Sequence, residues 1–290
     1  MSAWEAIVLG LVQGLTEFLP ISSSAHLRIV GMLIGTSDPG AAFTAIIQIG
    51  TEAAVLLYYR KTIKEICVEW WRAFRGDDGK DWRARFGAHR ERARMAWYIV
   101  IGTIPIGVLG LLFKDQIETS LRNLWITVTV LIVFGLLLGW ADKVGKRFRT
   151  DRDLTPKRAV LFGLAQSMAL IPGVSHSGGT ITAGLLMGFS RKAAADVSFL
   201  LAIPAVLISG FFQLFQSISD PTMKGSAGWG DTILATIVSF AVGYVVIIGF
   251  LKLITSRSFK PFVIYRIGLA IVVVMLLVTG VLQAQGGVQF

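Results

Sequence analysis

Apolar residues along this chain fall into long blocks, without the period-two alternation of half-buried strands. Six blocks, at roughly 41–60, 95–113, 124–142, 193–216, 231–252 and 262–283, approach the ~20 residues a helix needs to cross a hydrocarbon core. A transmembrane barrel would need short alternating strands instead. Two further stretches, 3–35 and 158–190, are apolar at both ends and interrupted in the middle by proline and polar residues. Each reads as two crossings, or as one re-entrant hairpin that enters and leaves on the same side. The pattern predicts an all-α, polytopic integral membrane protein with six transmembrane helices plus two re-entrant broken-helix hairpins.

Composition removes the soluble alternative. Of 290 residues, 54% are hydrophobic and 16% charged, where soluble domains carry roughly a quarter charged; mean hydropathy is +0.66. A net charge of +10 could indicate nucleic acid, but the surplus sits in a few loops between apolar blocks. Basic loops follow the first block (60–94), surround residue 150 and lie between Lys252 and Lys260, whereas loops 114–123 and 217–230 are nearly neutral. That alternation puts the basic loops in the cytoplasm and both termini outside. No nucleic-acid partner is expected. The 60–94 loop, with Trp70, Trp71, Trp82 and His89, reads as a segment resting on anionic headgroups, and His89 receives no chemical role. Cys67 is the only cysteine, so no disulfide framework is expected. The N-terminal MSAWEAIVLG lacks a basic n-region, so the first segment is expected in the mature protein.

One broken segment followed by three crossings occurs twice, giving repeats over 1–150 and 151–290 within one membrane domain. QGLTEFLPISSSAH (13–26) faces QSMALIPGVSHSGG (166–179), and FTAIIQIG (43–50) faces VSFLLAIP (197–204). Three crossings is an odd number, so the second copy is inverted. Inverted repeats with discontinuous helices build their sites near the midplane, where the copies meet. Non-helical backbone survives at that depth only inside protein or beside water. The two polar clusters are therefore expected to line one cavity.

The residue types in those clusters suit an anion. Pro20 ends one helix, and Ser22, Ser23 and Ser24 are good caps for the next, whose N-terminus would face the cavity. In PGVSHSGGT, glycines such as Gly178 allow close backbone approach, and Ser175, Ser177 and Thr180 add hydroxyls. Glu17 is an ionisable group at membrane depth, four residues from Gln13 and on the same helix face. Beside a phosphate it could hold a divalent cation or act as a base; the plainer reading pairs it with a structural arginine. Two of the three histidines, His26 and His176, also fall in the breaks. Glu52 lies inside a crossing and could pair with a site residue or an arginine, while Arg191 and Asp196 flank the helix that opens near 190.

At these clusters the chain resembles the bacterial undecaprenyl-diphosphate phosphatases, the bacitracin-resistance family. In that family Glu or Gln precedes a Glu by four, then come Pro-x-Ser-Ser and a His, and a second signature reads Pro-Gly-x-Ser-Arg-Ser-Gly-x-Thr. The resemblance covers nearly the whole chain, including the late FKPFVIYRI. It implies Glu17, Ser23 and His26 as catalytic residues, with Ser23 as the proposed nucleophile. It also implies phosphate binding around Gln13, Ser22, Ser24, Ser175, His176, Ser177, Gly178 and Thr180, and a divalent cation, Mg2+ or Ca2+, at Glu17. One departure matters: the family's arginine is His176 here, and histidine grips phosphate as a cation only when protonated. The expected activity is hydrolysis of undecaprenyl diphosphate to undecaprenyl phosphate and inorganic phosphate, in the bacterial plasma membrane, with the cavity toward the extracytoplasmic face. Serine or water could be the nucleophile, with His26 or Glu17 as base. Expected partners are the prenyl diphosphate lipid, membrane lipids and at most a second copy in a homodimer. The competing reading is a lipid-phosphate transporter or flippase.

Overall fold

A computed structural model describes residues 1–35, 40–219 and 227–285. Its helices, in order, are α1 (Ala3–Thr16), α2 (Ser23–Leu33), α3 (Gly40–Tyr58), α4 (Arg60–Arg75), α5 (Trp82–Arg85), α6 (Glu91–Leu112) and α7 (Lys114–Glu118), then α8 (Leu124–Val144), α9 (Pro156–Ser167), α10 (His176–Leu186), α11 (Arg191–Ser219), α12 (Trp229–Ser256) and α13 (Lys260–Val278). Five of them, α6, α8, α11, α12 and α13, are long and apolar enough to cross a membrane. A sixth candidate is the pair α3 and α4, apolar enough only when taken together and bent by 75° where they meet. The protein is thus all-α and polytopic, with crossings close to the apolar blocks. Part of the neutral 217–230 loop, residues 220–226, lies outside the described residues.

The bend after α3 corrects the reading of 60–94 as a loop. Most of that segment is helical: α4 follows α3 after Tyr59, whose N–H reaches Val55 O at 2.8 Å and whose carbonyl accepts from Ile63 N–H at 2.8 Å. Charged and apolar residues alternate in α4 with helical period, so it is amphipathic, and it packs mainly on α6. Gly76, at φ 89°, closes it as a left-handed cap. Arg90 then ties the returning chain back through Asp78 and through Glu69 at 3.1 Å.

The two broken segments become pairs of short helices. α1 and α2 have 14 and 11 residues, α9 and α10 have 12 and 11. At 1.5 Å per residue each is about 16–21 Å long, short of the ~30 Å of hydrocarbon. Within each pair the helices pack on each other; α1 packs mainly on α12, and α9 on α6. Small residues permit both approaches. A Cβ on Gly10 would lie 2.6 Å from the Ala235 carbonyl, and one on Gly163 would strike the carbonyl of Gly102. α3 lies against α11 and α12, and α8 against α13.

The core beneath the breaks is aromatic. Phe18 meets Phe199 edge-on at 5.4 Å, and Phe199, Phe250, Phe259 and Phe262 continue the cluster toward α13. The outer surface is apolar too, with Leu111, Ile208, Phe215, Val245 and Val278 all exposed. Water would not tolerate such a belt, whereas lipid does.

Candidate active site

Both breaks end on a serine in an unusual backbone conformation. Ser22 caps α2 at φ 75°, ψ 94°, and Ser175 caps α10 at φ 71°, ψ 126°. A non-glycine residue with positive φ is strained by about 1–3 kcal/mol and persists only where its surroundings hold it. The same offset separates Gln13 from Gln166, Ser22 from Ser175, and Ser24 from Ser177. Each break therefore turns sharply into a new helix N-terminus, with its free N–H groups.

What holds the strain is Arg266 on α13, a residue to which sequence reasoning gave no role. Its side chain is fully buried, with 0% exposure. Nη1 donates to Pro20 O at 3.1 Å and Val174 O at 3.0 Å, and Nη2 to Gly173 O at 2.7 Å and Val130 O at 3.4 Å. Nε donates to Leu131 O at 3.0 Å. A guanidinium has five N–H donors, and here each reaches a carbonyl. Three of those carbonyls come from non-helical backbone, where no helix bond would satisfy them. Arg266 thus fastens both breaks to α8 and has no donor left for a phosphate. Gly135 makes the approach: a Cβ there would sit 3.4 Å from Arg266 Cβ. The available signal was a lone arginine inside an apolar crossing.

The first break carries the acid chemistry. Ser23 Oγ donates to Glu17 Oε2 at 2.6 Å, and Gln13 Nε2 donates to the same oxygen at 2.8 Å. Gln48 Nε2, from α3, reaches Glu17 Oε1 at 3.5 Å, and Thr51 accepts from Gln13 Nε2 at 3.4 Å. Gln48 and Thr51 were also missed, being uncharged polar residues in a mostly apolar crossing where Glu52 drew the attention. Gln13 is buried while Glu17, Ser23 and Ser24 are half-buried, so the carboxylate is fixed from beneath and open above. Ser22 Oγ lies 3.2 Å from Ser24 Oγ.

The second break meets the first directly. Ser177 Oγ donates to Leu19 O at 3.2 Å and lies 3.5 Å from Glu17 O, while Ser175 Oγ lies 3.2 Å from Ser177 Oγ and caps Gly178 N–H at 3.1 Å. His176, the first residue of α10, has its Nε2 buried with no hydrogen-bond partner among the described residues. Thr180 turns its hydroxyl onto its own helix, to His176 O at 2.8 Å, and onto Ser198. His26 also faces away from Ser23. Its Nδ1 lies 2.6 Å from Ser22 O and its Nε2 2.7 Å from the Tyr265 hydroxyl, with the two rings stacked. Because a carbonyl only accepts, Nδ1 carries the proton and neutral Nε2 accepts from Tyr265. Among the described residues Glu52 forms no ion pair; it is buried, with Oε1 lacking a partner there.

Among the described residues no group of three or more His, Cys, Asp or Glu could hold a metal ion unaided. The oxygens of Glu17 and Ser23, with Gln13 Oε1 buried and unpartnered, are hard donors. Such oxygen donors would fit a small divalent cation.

Comparison with known proteins places the chain in a family. The family model described as bacitracin resistance protein BacA matches residues 6–272. The undecaprenyl-diphosphatase of Bifidobacterium adolescentis is 57% identical over 287 residues, covering 98% of this chain and 97% of that protein. Those of Pseudarthrobacter chlorophenolicus and Agrobacterium fabrum (there named undecaprenyl-diphosphatase 2) are 54% and 53% identical, covering 98% and 99% of this chain and 100% and 99% of the relatives.

Proposed function

The chain belongs to the bacitracin resistance protein BacA family, and from that premise we propose that it hydrolyses undecaprenyl diphosphate to undecaprenyl phosphate and inorganic phosphate. The reaction returns the lipid carrier used for peptidoglycan synthesis. The observation that carries the mechanism is the 2.6 Å hydrogen bond from Ser23 Oγ to Glu17 Oε2, at a break that Ser177 of the other half closes over.

In this mechanism Glu17 takes the Ser23 proton as Oγ attacks the terminal phosphorus. The bridging P–O bond breaks, undecaprenyl phosphate leaves, and water then cleaves the phosphoserine to release inorganic phosphate and regenerate Ser23. Phosphoryl transfer is mostly positioning and charge neutralisation. The N-termini of α2 and α10 offer backbone N–H groups to the phosphate oxygens. His176 Nε2, which lacks a protein partner, donates to the same group. Ser24, Ser175 and Ser177 complete the polar wall. Thr180 supports α10 through Ser198, and His26 with Tyr265 braces the first turn of α2. A magnesium or calcium ion, when bound by Glu17, Ser23 and Gln13, supplies further neutralisation of phosphate charge.

The two short-helix pairs are, on this reading, re-entrant hairpins of an inverted repeat. Support comes from the paired strained serines and from the matching contacts of α1 with α12 and α9 with α6. The active cluster then opens toward the extracytoplasmic side, away from the basic loops.

The test is phosphate release from undecaprenyl diphosphate by the purified protein in detergent. Glu17→Gln should lower turnover by about 10²–10⁴, and Ser23→Ala should abolish a trapped phosphoserine. Full activity of Ser23→Ala would transfer the nucleophilic role to water, and a protein that moves the lipid without releasing phosphate would be a transporter. His176→Arg should hold its activity to higher pH than wild type, since arginine keeps its charge.

A further inference from the structure

A second polar site lies at the opposite end of α8. A cleft of about 360 Å³ opens between the C-terminal end of α8 and the starts of α11 and α13. Four cations line it, Lys143, Arg147, Arg191 and Lys260, together with the hydroxyl-bearing Ser258 and one acid, Asp142. The acid is already saturated. Asp142 accepts from Arg191 Nε at 2.6 Å and Nη2 at 3.1 Å, from Arg147 Nη2 at 3.1 Å and from Phe259 N–H at 3.0 Å. It is buried, and its role is to orient the two arginines and join α8 to the start of α13. Lys143 and Lys260 are exposed and form no ion pair among the described residues. The cleft therefore carries a net positive charge that the protein does not neutralise.

The surroundings indicate what would neutralise it. The inner wall is apolar, formed by Gly139 and Val263. Trp140, Phe148 and Ile264, each next in sequence to a lining residue, are 55%, 62% and 60% exposed. Large apolar and aromatic residues next to lysine and arginine, at the end of membrane-crossing helices, mark the headgroup level. A soluble anion would need only the cations, whereas a lipid also uses the apolar wall. We infer that this cleft binds the phosphate headgroup of an anionic membrane phospholipid, with its acyl chains against Val263 and the exposed face of α8. Basic pockets between membrane helices hold such headgroups by charge-assisted hydrogen bonds. The site is separate from the catalytic cluster: Asp142 lies about three turns, roughly 16 Å, along α8 from Leu131, which Arg266 grips.

The experiment compares thermal unfolding of the full-length protein in neutral detergent with added phosphatidylglycerol, phosphatidylcholine or inorganic phosphate. The variants are Lys143→Gln, Lys260→Gln and the double substitution, all at exposed positions remote from Glu17. Phosphatidylglycerol should raise the wild-type melting temperature by several degrees more than phosphatidylcholine, and the gain should shrink as NaCl rises. The double variant should need at least tenfold more phosphatidylglycerol for the same shift, with basal phosphate release unchanged. Equal responses to the two lipids, or equal responses of wild type and double variant, would overturn the assignment. So would inorganic phosphate matching phosphatidylglycerol, because that would make the ligand a free anion. Lipid count by native mass spectrometry gives a reading independent of stability: wild type should retain phosphatidylglycerol that the double variant loses.

Discussion

At the break between α1 and α2, Gln13 holds the carboxylate of Glu17, and Ser23 donates to it. At the break between α9 and α10 the same register places Gln166 and Leu170, and both amide atoms of Gln166 are buried without a partner. The backbones nonetheless match, with Ser22 and Ser175 at nearly the same positive φ. One backbone plan has thus been used twice, and only one copy carries an acid with a serine hydrogen-bonded to it. The other contributes small residues, hydroxyls and a helix N-terminus. A phosphate between them would meet charge control from one side and backbone donors from the other, without two carboxylates repelling it.

The largest expected effect comes from removing what both breaks share. Arg266→Met leaves five carbonyls without their donor, three of them in non-helical backbone. Orphaned buried groups cost about 1–3 kcal/mol each, partly relieved by relaxation. A loss of several kcal/mol is expected by thermal unfolding, and hydrogen exchange should quicken at both breaks together. Faster exchange at one break alone would show that the two are not clamped as a unit.

A smaller effect should separate the two glutamines. Gln13→Leu removes a hydrogen bond to a charged oxygen, worth about 1.5–3 kcal/mol, so kcat/KM should fall tenfold or more. Gln166→Leu removes an amide that makes no bond, so activity should persist and stability stay level or rise. Equal activity losses in the two variants would erase the functional asymmetry.

The smallest effect concerns the strained serines. Ser175 Oγ caps Gly178 N–H, whereas Ser22 makes no side-chain cap. Ser175→Ala should therefore cost about 1 kcal/mol, and Ser22→Ala less than half of that, by melting temperature. Ser22→Gly should be neutral or stabilising, since glycine adopts positive φ freely. A costly Ser22→Gly would mean that its hydroxyl, not its backbone, shapes the turn.

Much of this was legible in residue order. The block at 124–142 became α8, that at 231–252 lies within α12, and both breaks fell at Pro20 and Pro172. Hydrophobic length and proline act locally, so a linear reading recovers them. The helical character of 60–75 was hidden by its charge: α4 is amphipathic and bends from α3 by 75°, so it lacks the long apolar run used to recognise a crossing. In the site, Glu17, Gln13 and Ser23 were found together because they sit within one turn of a single break. Gln48 and Thr51 were not, since their partners are on another helix.

Hydropathy, charge placement and the doubled Gln–Pro–Ser pattern by themselves determined that this is a polytopic helical protein with two interrupted segments bearing anion-binding chemistry. Only the tertiary structure decided that Arg266 joins those segments, that Glu17 faces Ser23 while His26 turns to Tyr265, and that Lys143 and Lys260 share a cleft. The physical reason is range. A helix or a break depends on neighbours a turn away, whereas a buried guanidinium must find its acceptors wherever the folded chain leaves carbonyls unpaired.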